Sequence, residues 1–208
     1  METIIIGISG NYRSGKNTFG DMLEEILTHM DILVKQFAFA DPLKNMAKKY
    51  FKWDGNKCSD YERWPEPGEA DPHTLVGGRS LLQGVGEMMR TEIDDDFWID
   101  RCIGDIKDWA EALETPTTCV AIITDVRYLN EAEILTSPAE TMFPGAKLFY
   151  MQRPGYEGDE HPSEAELRTD EFRSLVTAFI DNNSSLEALK EKAIEAASKI
   201  ARRCLKDG

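Results

Sequence analysis

The chain alternates short apolar runs with longer stretches that have helical spacing. Five runs of aliphatic, β-branched or aromatic residues predict strands, and several are apolar without interruption: Thr3–Ser9, Leu33–Ala40, Cys119–Asp125, Ala146–Gln152 and Leu175–Asp181. Continuous apolar runs are typical of strands that are covered on both faces, as in a parallel sheet. The pattern therefore predicts an α/β fold.

Between these runs, apolar residues recur at the i, i+3, i+4 spacing of amphipathic helices. Four such stripes lie in residues 19–27, 81–89, 99–113 and 186–205, and Ser184 or Ser185 is a suitable N-cap for the last of them. Strands that alternate with helices imply right-handed crossovers in a single domain over residues 1–208.

Two polar, turn-prone stretches interrupt the pattern, at residues 54–78 and 154–170. Both follow predicted strand or helix ends, where loops that cover a ligand lie in open α/β sheets. We interpret the first as a candidate substrate-binding insertion and the second as a candidate lid. Solvated surface loops are the alternative for both.

Charge and cysteine content limit the classes of partner. The formal net charge of −14 disfavours stable binding to nucleic acid or to anionic membranes. The four cysteines are scattered without a CxxC pair, which indicates free thiols in a reducing compartment. A strand begins almost at the first residue and no apolar stretch approaches about 18 residues. We therefore expect a cytoplasmic protein without a membrane span.

A phosphate-binding motif follows the first predicted strand. The residues GNYRSGK, from Gly10 to Lys16, match GxxxxGK and precede an amphipathic stretch. Glycines allow backbone N–H groups to point at phosphate oxygens, the helix N-terminus adds partial positive charge, and the lysine reaches the β- and γ-phosphates. The motif therefore predicts an ATP site that includes Gly10, Arg13, Ser14, Gly15, Lys16, Asn17 and Thr18.

The motif departs from its strict form at one position, because Asn17 replaces the usual Ser or Thr that contacts Mg²⁺. Thr18 follows immediately, and nucleotide kinases have a similar GKxT arrangement. The first contact to Mg²⁺ stays open between Asn17, Thr18 and water.

Other charged residues lie at predicted strand ends. Asp125 would emerge at the carboxyl edge of the sheet as a Mg²⁺ carboxylate, or would cap the helix that begins near Leu129. Asp41, with Lys44 one turn later, would bind substrate or serve as an N-cap. Phosphoryl transfer needs cations around the phosphates, and Arg127 and Arg153 are the best placed.

The order of several motifs resembles the deoxynucleoside monophosphate (dNMP) kinases of tailed bacteriophages. The motifs span most of the chain: SGNYRSGKNT, FADPLK, RSLLQGVGEMMR with FW soon after, ITDVRYLNEAE, QRPG, HPSEAEL and IDNNSSLEAL. The resemblance implies an adenylate-kinase-like P-loop kinase with a three-layer α/β/α fold, a five-stranded parallel sheet and polar lid segments. It also implies ATP and Mg²⁺ as cofactors, a dNMP as substrate, and the host cytoplasm as compartment for a phage gene.

The resemblance also assigns roles to individual residues. It puts Asn182 and Asn183 near adenine and gives catalytic roles to Lys16, Asp125, Arg127 and Arg153. The resemblance also places seven residues where they would face the monophosphate: Asp41, Lys44, Gln83, Arg90, Trp98, Asp125 and Arg127. Arg153, His161, Ser163 and Glu164 would belong to the lid region, where they would help to bind the substrate. For Trp98, a place in the core is the alternative.

Two other functions stay open. Phosphomevalonate kinases of animals have a similar RSGK loop and a later D-x-R element, so a small-metabolite kinase is one alternative. The other is a non-catalytic nucleotide-binding regulatory module. The sequence does not specify which bases are accepted or whether the protein is a homodimer.

Overall fold

The computed structural model describes residues 3–56, 60–62, 75–113, 118–136, 145–156 and 165–204. The chain divides into two compact units, which we describe separately. The first combines Met1–Ala38 with Asp105–Gly208, and the second is Phe39–Gly104. The single domain expected from the sequence stays a prediction. Most of the candidate insertion at 54–78, and residues 157–164 of the candidate lid, lie outside the described residues.

Seven described strands form two sheets. They are β1 (Thr3–Gly10), β2 (Leu33–Phe37), β3 (Asp60–Glu62), β4 (Leu75–Gly77), β5 (Cys119–Val126), β6 (Lys147–Gln152) and β7 (Ala178–Asp181). The first unit holds a sheet of order β2-β5-β1-β6-β7 in which every neighbouring pair is parallel. This confirms the predicted five-stranded parallel sheet.

The described helices are α1 (Lys16–His29), α2 (Ala40–Phe51), α3 (Gly78–Glu92), α4 (Phe97–Glu111), α5 (Leu129–Thr136), α6 (Asp170–Ser174) and α7 (Leu186–Cys204), with a 3₁₀ turn at Glu166–Arg168. The amide of Ala188 donates to Ser185 Oγ at 3.2 Å, so Ser185 caps α7 as predicted.

Helices cover both faces of the five-stranded sheet. On one face, α1 and α7 share a core with the strands that includes Phe19, Leu23 and Ala193, all fully buried. On the other face, the ring of Phe172 in α6 packs edge-on against Tyr150 in β6, with 6.4 Å between centroids. The first unit therefore has the predicted three-layer α/β/α arrangement.

Two strand ends lie three residues from the predicted positions because apolar residues there belong to the ends of helices, and the other strand ends lie within one residue of the prediction. β2 ends at Phe37 and not at Ala40, since Phe39 is the N-cap residue of α2 and is buried. β7 begins at Ala178 and not at Leu175, since Leu175 is the C-cap residue of α6.

The second unit contains α2, α3, part of α4 and the antiparallel pair β3–β4. Its core includes Leu43 and Ala47 from α2, Leu82 from α3 and Trp98 from α4. Trp98 is 2% exposed, and its indole Nε1 donates to the carbonyl of Gly86 at 3.1 Å. The structure thus places Trp98 in a core. A core position was the alternative to substrate binding in the sequence analysis.

None of the described helices combines the length and apolar character that a membrane crossing requires. Within the described residues, Cys102, Cys119 and Cys204 are buried and form no disulfide. Cys58 lies outside the described residues.

Candidate active site

The phosphate-loop motif lies at the carboxyl edge of the five-stranded sheet. It begins at Gly10, the last residue of the central strand β1, and ends where α1 begins at Lys16. Because the strands are parallel, the carboxyl ends of β5, β6 and β7 meet at the same edge. Asp125, Arg153 and Asn182 lie at those three ends.

The backbone of the loop requires its two glycines. Gly10 has φ 134° and Gly15 has φ 99°, values that side chains oppose. A Cβ at Gly10 would lie 2.5 Å from the carbonyl oxygen of Met151, and one at Gly15 would lie 2.4 Å from Asn182 Nδ2. Arg13 also has a left-handed backbone, with φ 61°. Strained backbone of this kind is typical of ligand-binding loops.

Lys16 folds its ammonium group over the loop. The group donates to the carbonyl oxygens of Gly10 at 2.5 Å and Asn11 at 2.7 Å, and the residue is only 7% exposed. A buried ammonium needs such partners to offset its lost hydration. The loop therefore holds a positive charge at its centre.

Polar groups on the same loop are available to an anion. Ser14 is buried, and its Oγ has no hydrogen-bond partner within the described part of the chain. Gly15 precedes α1 and offers no side-chain cap, and the first turn of α1 contains no acidic residue. An uncapped helix N-terminus beside a buried hydroxyl favours a bound anion such as phosphate.

Two side chains from elsewhere in the first unit, and one side chain of the loop itself, hold the loop in place. Asn182 Nδ2 donates to the carbonyl of Ser14 at 2.9 Å, and Arg153 Nη1 donates to that of Arg13 at 3.2 Å. Asn11 Nδ2 donates to the carbonyl of Tyr156 at 3.0 Å. The guanidinium of Arg153 also lies 4.5 Å from the ring centroid of Tyr156. Arg153 and Asn182 therefore contact the phosphate loop itself.

A bulge lies at the end of β5, next to Asp125. Gly7 of β1 pairs with Ile123, whereas Ser9 pairs with Val126, so β5 contains one extra residue between the two pairs. Bulges of this kind redirect side chains and are common beside functional sites. Asp125 is partly exposed there. Asn17 and Thr18, the other predicted Mg²⁺ contacts, are exposed in the first turn of α1.

The backbone after this bulge is fixed by two glutamates that the sequence analysis missed. Glu131 Oε2, buried in α5, accepts from the amides of Arg127 at 2.7 Å and Tyr128 at 3.1 Å. Glu166 Oε2 accepts from the amide of Leu129 at 2.7 Å. Both glutamates accept hydrogen bonds from backbone amides at the start of α5, the helix that Asp125 was one candidate to cap. The usual capping signal was absent because Tyr128 stands where Ser, Thr, Asn or Asp normally begins a helix.

Several other predicted residues belong to the second unit. Asp41 is the second residue of α2 and accepts a 2.7 Å ion-pair hydrogen bond from Lys44. The N-cap position of α2 is Phe39, so the N-cap alternative for Asp41 was wrong. Gln83 is exposed and Arg90 is partly exposed, both on α3. Their substrate-binding roles stay predictions.

Four predicted ligand contacts remain to be placed, and three of them lie outside the described residues. His161, Ser163 and Glu164 lie outside the described residues. Asn183 is exposed directly after β7, and a role at adenine stays a prediction. Among the side chains that the structure describes, no group of three or more His, Cys, Asp or Glu residues could hold a metal ion.

Comparisons with known proteins show similarity in structure only. No family model and no curated protein sequence matches the chain. Among solved structures, TT1252 from Thermus thermophilus is 19% identical, with a TM-score of 0.47 over 96% of this chain and 98% of that one. A dephospho-CoA kinase from Campylobacter jejuni is 12% identical, with a TM-score of 0.48 over 96% and 98%. At these values the likenesses do not identify the chemistry of this chain.

Proposed function

We propose that the chain is an ATP-dependent P-loop kinase. The observation that carries the proposal is the loop from Gly10 to Lys16, which combines two positive-φ glycines, a central ammonium and an uncapped helix N-terminus. Such a loop is suited to the polyphosphate of a nucleotide. Its place at the carboxyl edge of a parallel sheet is where ligands bind in open α/β folds.

In this proposal the residues of the loop bind and orient the phosphates of ATP. Lys16 would turn its ammonium from the loop carbonyls to the β- and γ-phosphates. Ser14 Oγ and the first amides of α1 would donate to phosphate oxygens. Arg153, already hydrogen-bonded to the loop, would stabilise charge that spreads over the transferred group. Catalysis would come mainly from positioning and charge neutralisation.

The residues present are compatible with Mg²⁺. Mg²⁺ normally keeps several waters and binds through one or two protein groups together with substrate phosphates, so a protein-only metal cluster is not required. Asn17, Thr18 and Asp125 are the residues that would hold it, directly or through water. When bound, the ion would neutralise charge on the β- and γ-phosphates.

We further propose a deoxynucleoside monophosphate as the acceptor, on the motifs named in the sequence analysis. The phosphate oxygen of such an acceptor is already ionised at neutral pH, so no strong general base is needed. Asp125 and Arg127 at the end of β5 are candidates to position it, and the fixed backbone after the bulge supports that role. The proposed compartment is the cytoplasm.

A coupled assay of ADP release tests this function. Mg-ATP is presented with every dNMP, every ribonucleoside monophosphate, phosphomevalonate and dephospho-coenzyme A, one acceptor at a time. We expect dNMPs to stimulate turnover, and Lys16→Ala to lower kcat roughly 100-fold or more, as for loss of other groups that stabilise transition-state charge. Lys190→Ala, on an exposed position of α7, is the matched control and should leave turnover unchanged.

The outcomes separate the alternatives. Stimulation by phosphomevalonate alone would support the small-metabolite kinase. ATP binding without turnover on any acceptor would support the regulatory module and reject the kinase proposal. Unchanged turnover in Lys16→Ala would show that the chemistry does not use this loop.

A further inference from the structure

A cavity lies between the sheet and the last helix of the first unit. It has a volume of 520 Å³ and is lined by β1, β6 and β7 on one side and by α7 on the other. Ile6 is one of its β1 residues, and Gly10 is four residues further along the strand. At about 3.3 Å per residue, the two positions are roughly 13 Å apart. The β1 part of the lining is therefore remote from the phosphate loop, whereas Asp181, at the β7 end, directly precedes the loop-holding Asn182.

The floor of this cavity is apolar and already folded. Phe149, Ala196 and Ile200 line it, each less than 10% exposed. The volume falls within the range of about 300–1,000 Å³ that is typical of small-molecule sites, which are mostly apolar with a few polar groups. Such a floor suits an aromatic or aliphatic group.

The rim carries positive charge, which is unusual on a chain with a net charge of −14. Four basic residues line the cavity, namely Lys147, Lys192, Lys199 and Arg203, against two acidic residues, Asp181 and Glu195. Three of the basic residues lie on one face of α7 because they are spaced by seven and four positions. A cationic rim above an apolar floor is complementary to an amphipathic anion.

Arg203, one of the basic residues of the rim, packs closely against Gly145. A Cβ on Gly145 would lie 1.5 Å from Arg203 Nη1, so the guanidinium lies directly against the backbone of this glycine. Any other residue would displace it. The close approach fixes a charged group at the mouth of the cavity.

The neighbouring lysines could turn to a ligand at little cost. Lys199 pairs with Glu195 at 2.7 Å, but both side chains are about 70% exposed, and exposed ion pairs contribute little free energy. Lys147 is exposed, and its side chain makes no hydrogen bond or ion pair within the described residues.

We propose that this cavity binds one small amphipathic anion. Its aromatic or aliphatic body would lie on Phe149, Ala196 and Ile200, and its phosphate, sulfonate or carboxylate group would lie between Lys147 and Arg203. The site does not depend on the proposed kinase function.

Anilinonaphthalene sulfonate is a suitable probe because it joins a planar apolar body to one negative charge. Isothermal titration calorimetry and fluorescence should show one probe per chain. Uncharged phenylnaphthylamine should bind roughly tenfold more weakly, a factor that corresponds to about 1.4 kcal/mol. Lys16→Ala should bind the probe normally, since the phosphate loop is not involved.

Two variants locate the probe. Ala178→Phe fills the cavity from β7 and should abolish binding. The double variant Lys147→Gln with Lys199→Gln keeps the cavity and should weaken binding about threefold, less than loss of the probe's charge, because Arg203 remains. Lys190→Gln, exposed on α7 outside the cavity, is the matched control, and unchanged melting temperatures verify that each variant folds.

Several results would overturn the proposal. Unchanged binding in both the filled and the charge-depleted variants would place the probe elsewhere. Equal affinity for the uncharged analogue would remove the role of the rim. Loss of binding in Lys16→Ala would assign the probe to the phosphate loop.

Discussion

Replacement of Asn182 tests how the phosphate loop is held. The Asn182 carboxamide donates to the Ser14 carbonyl at 2.9 Å, and its own backbone amide is anchored to Gln152 at 2.7 Å. Asn182→Ala removes the side-chain bond and leaves a carbonyl without its donor. Because the contact is only partly buried and water can replace part of it, we expect a loss of about 1 kcal/mol.

That free energy sets the expected size of two measurements. If the loss falls on the binding-competent loop, ATP affinity should drop roughly fivefold. If it falls on the whole fold, the melting temperature should drop by about 2–4 °C for a chain of this size. Asn183→Ala, at the exposed neighbouring position, is the matched control and should change neither.

The choice of ligand distinguishes a loop-holding role of Asn182 from the contact with adenine that the family resemblance implies. If Asn182 holds the loop, Asn182→Ala should weaken ATP and inorganic triphosphate by the same factor in calorimetric titrations. If it contacts adenine instead, only ATP should bind more weakly. A loss confined to ATP, or no loss for either ligand, would refute the loop-holding role.

Four further predictions concern single residues. Gly15→Ala should abolish ATP binding in a titration, because its Cβ would meet the Asn182 side chain 2.4 Å away, and retained affinity would contradict the loop geometry. Glu131→Ala should lower stability by about 1–3 kcal/mol in urea denaturation, because two amides lose their hydrogen-bond acceptor, whereas Glu133→Ala, at a partly exposed position of the same helix, should not. Trp98→Ala should cost about 3–5 kcal/mol in the same assay, and a loss below 1 kcal/mol would contradict its burial. Hydrogen bonds from its own amide and from Ser185 lower the pKa of Glu187 below the ordinary value of a glutamate, so the carboxylate stabilises the fold at pH values above that ordinary pKa. Glu187→Gln should therefore lower the melting temperature at pH 7, with the difference disappearing as the pH falls through the lowered pKa.

The sequence predicted the sheet and the loop because both are encoded locally. Apolar runs, several of them uninterrupted, marked all five parallel strands, and the spacing of Gly10, Gly15 and Lys16 marked the loop between β1 and α1. The strand ends were less accurate. Phe39 is apolar and buried yet belongs to a helix start, so hydrophobicity alone could not separate it from β2.

The contacts that hold the site were not predictable in the same way. Asn182 and Ser14 are 168 residues apart, and the bond is from a side chain to a backbone carbonyl. Glu166 and Leu129 are 37 residues apart and are joined in the same manner, with a backbone amide as the partner. A backbone partner leaves no mark on the residue type at its position, so no pattern in a single sequence reveals such pairs.

The destination of the γ-phosphate of ATP tests the central claim most directly. With ATP labelled at that phosphate and a mixture of dNMPs, single-turnover reactions are separated by chromatography. We predict that the label moves to a deoxynucleoside diphosphate in the wild-type protein and stays in ATP in Lys16→Ala. Label that appears only as inorganic phosphate, or that remains in ATP with the wild-type protein, would contradict a kinase built on this loop.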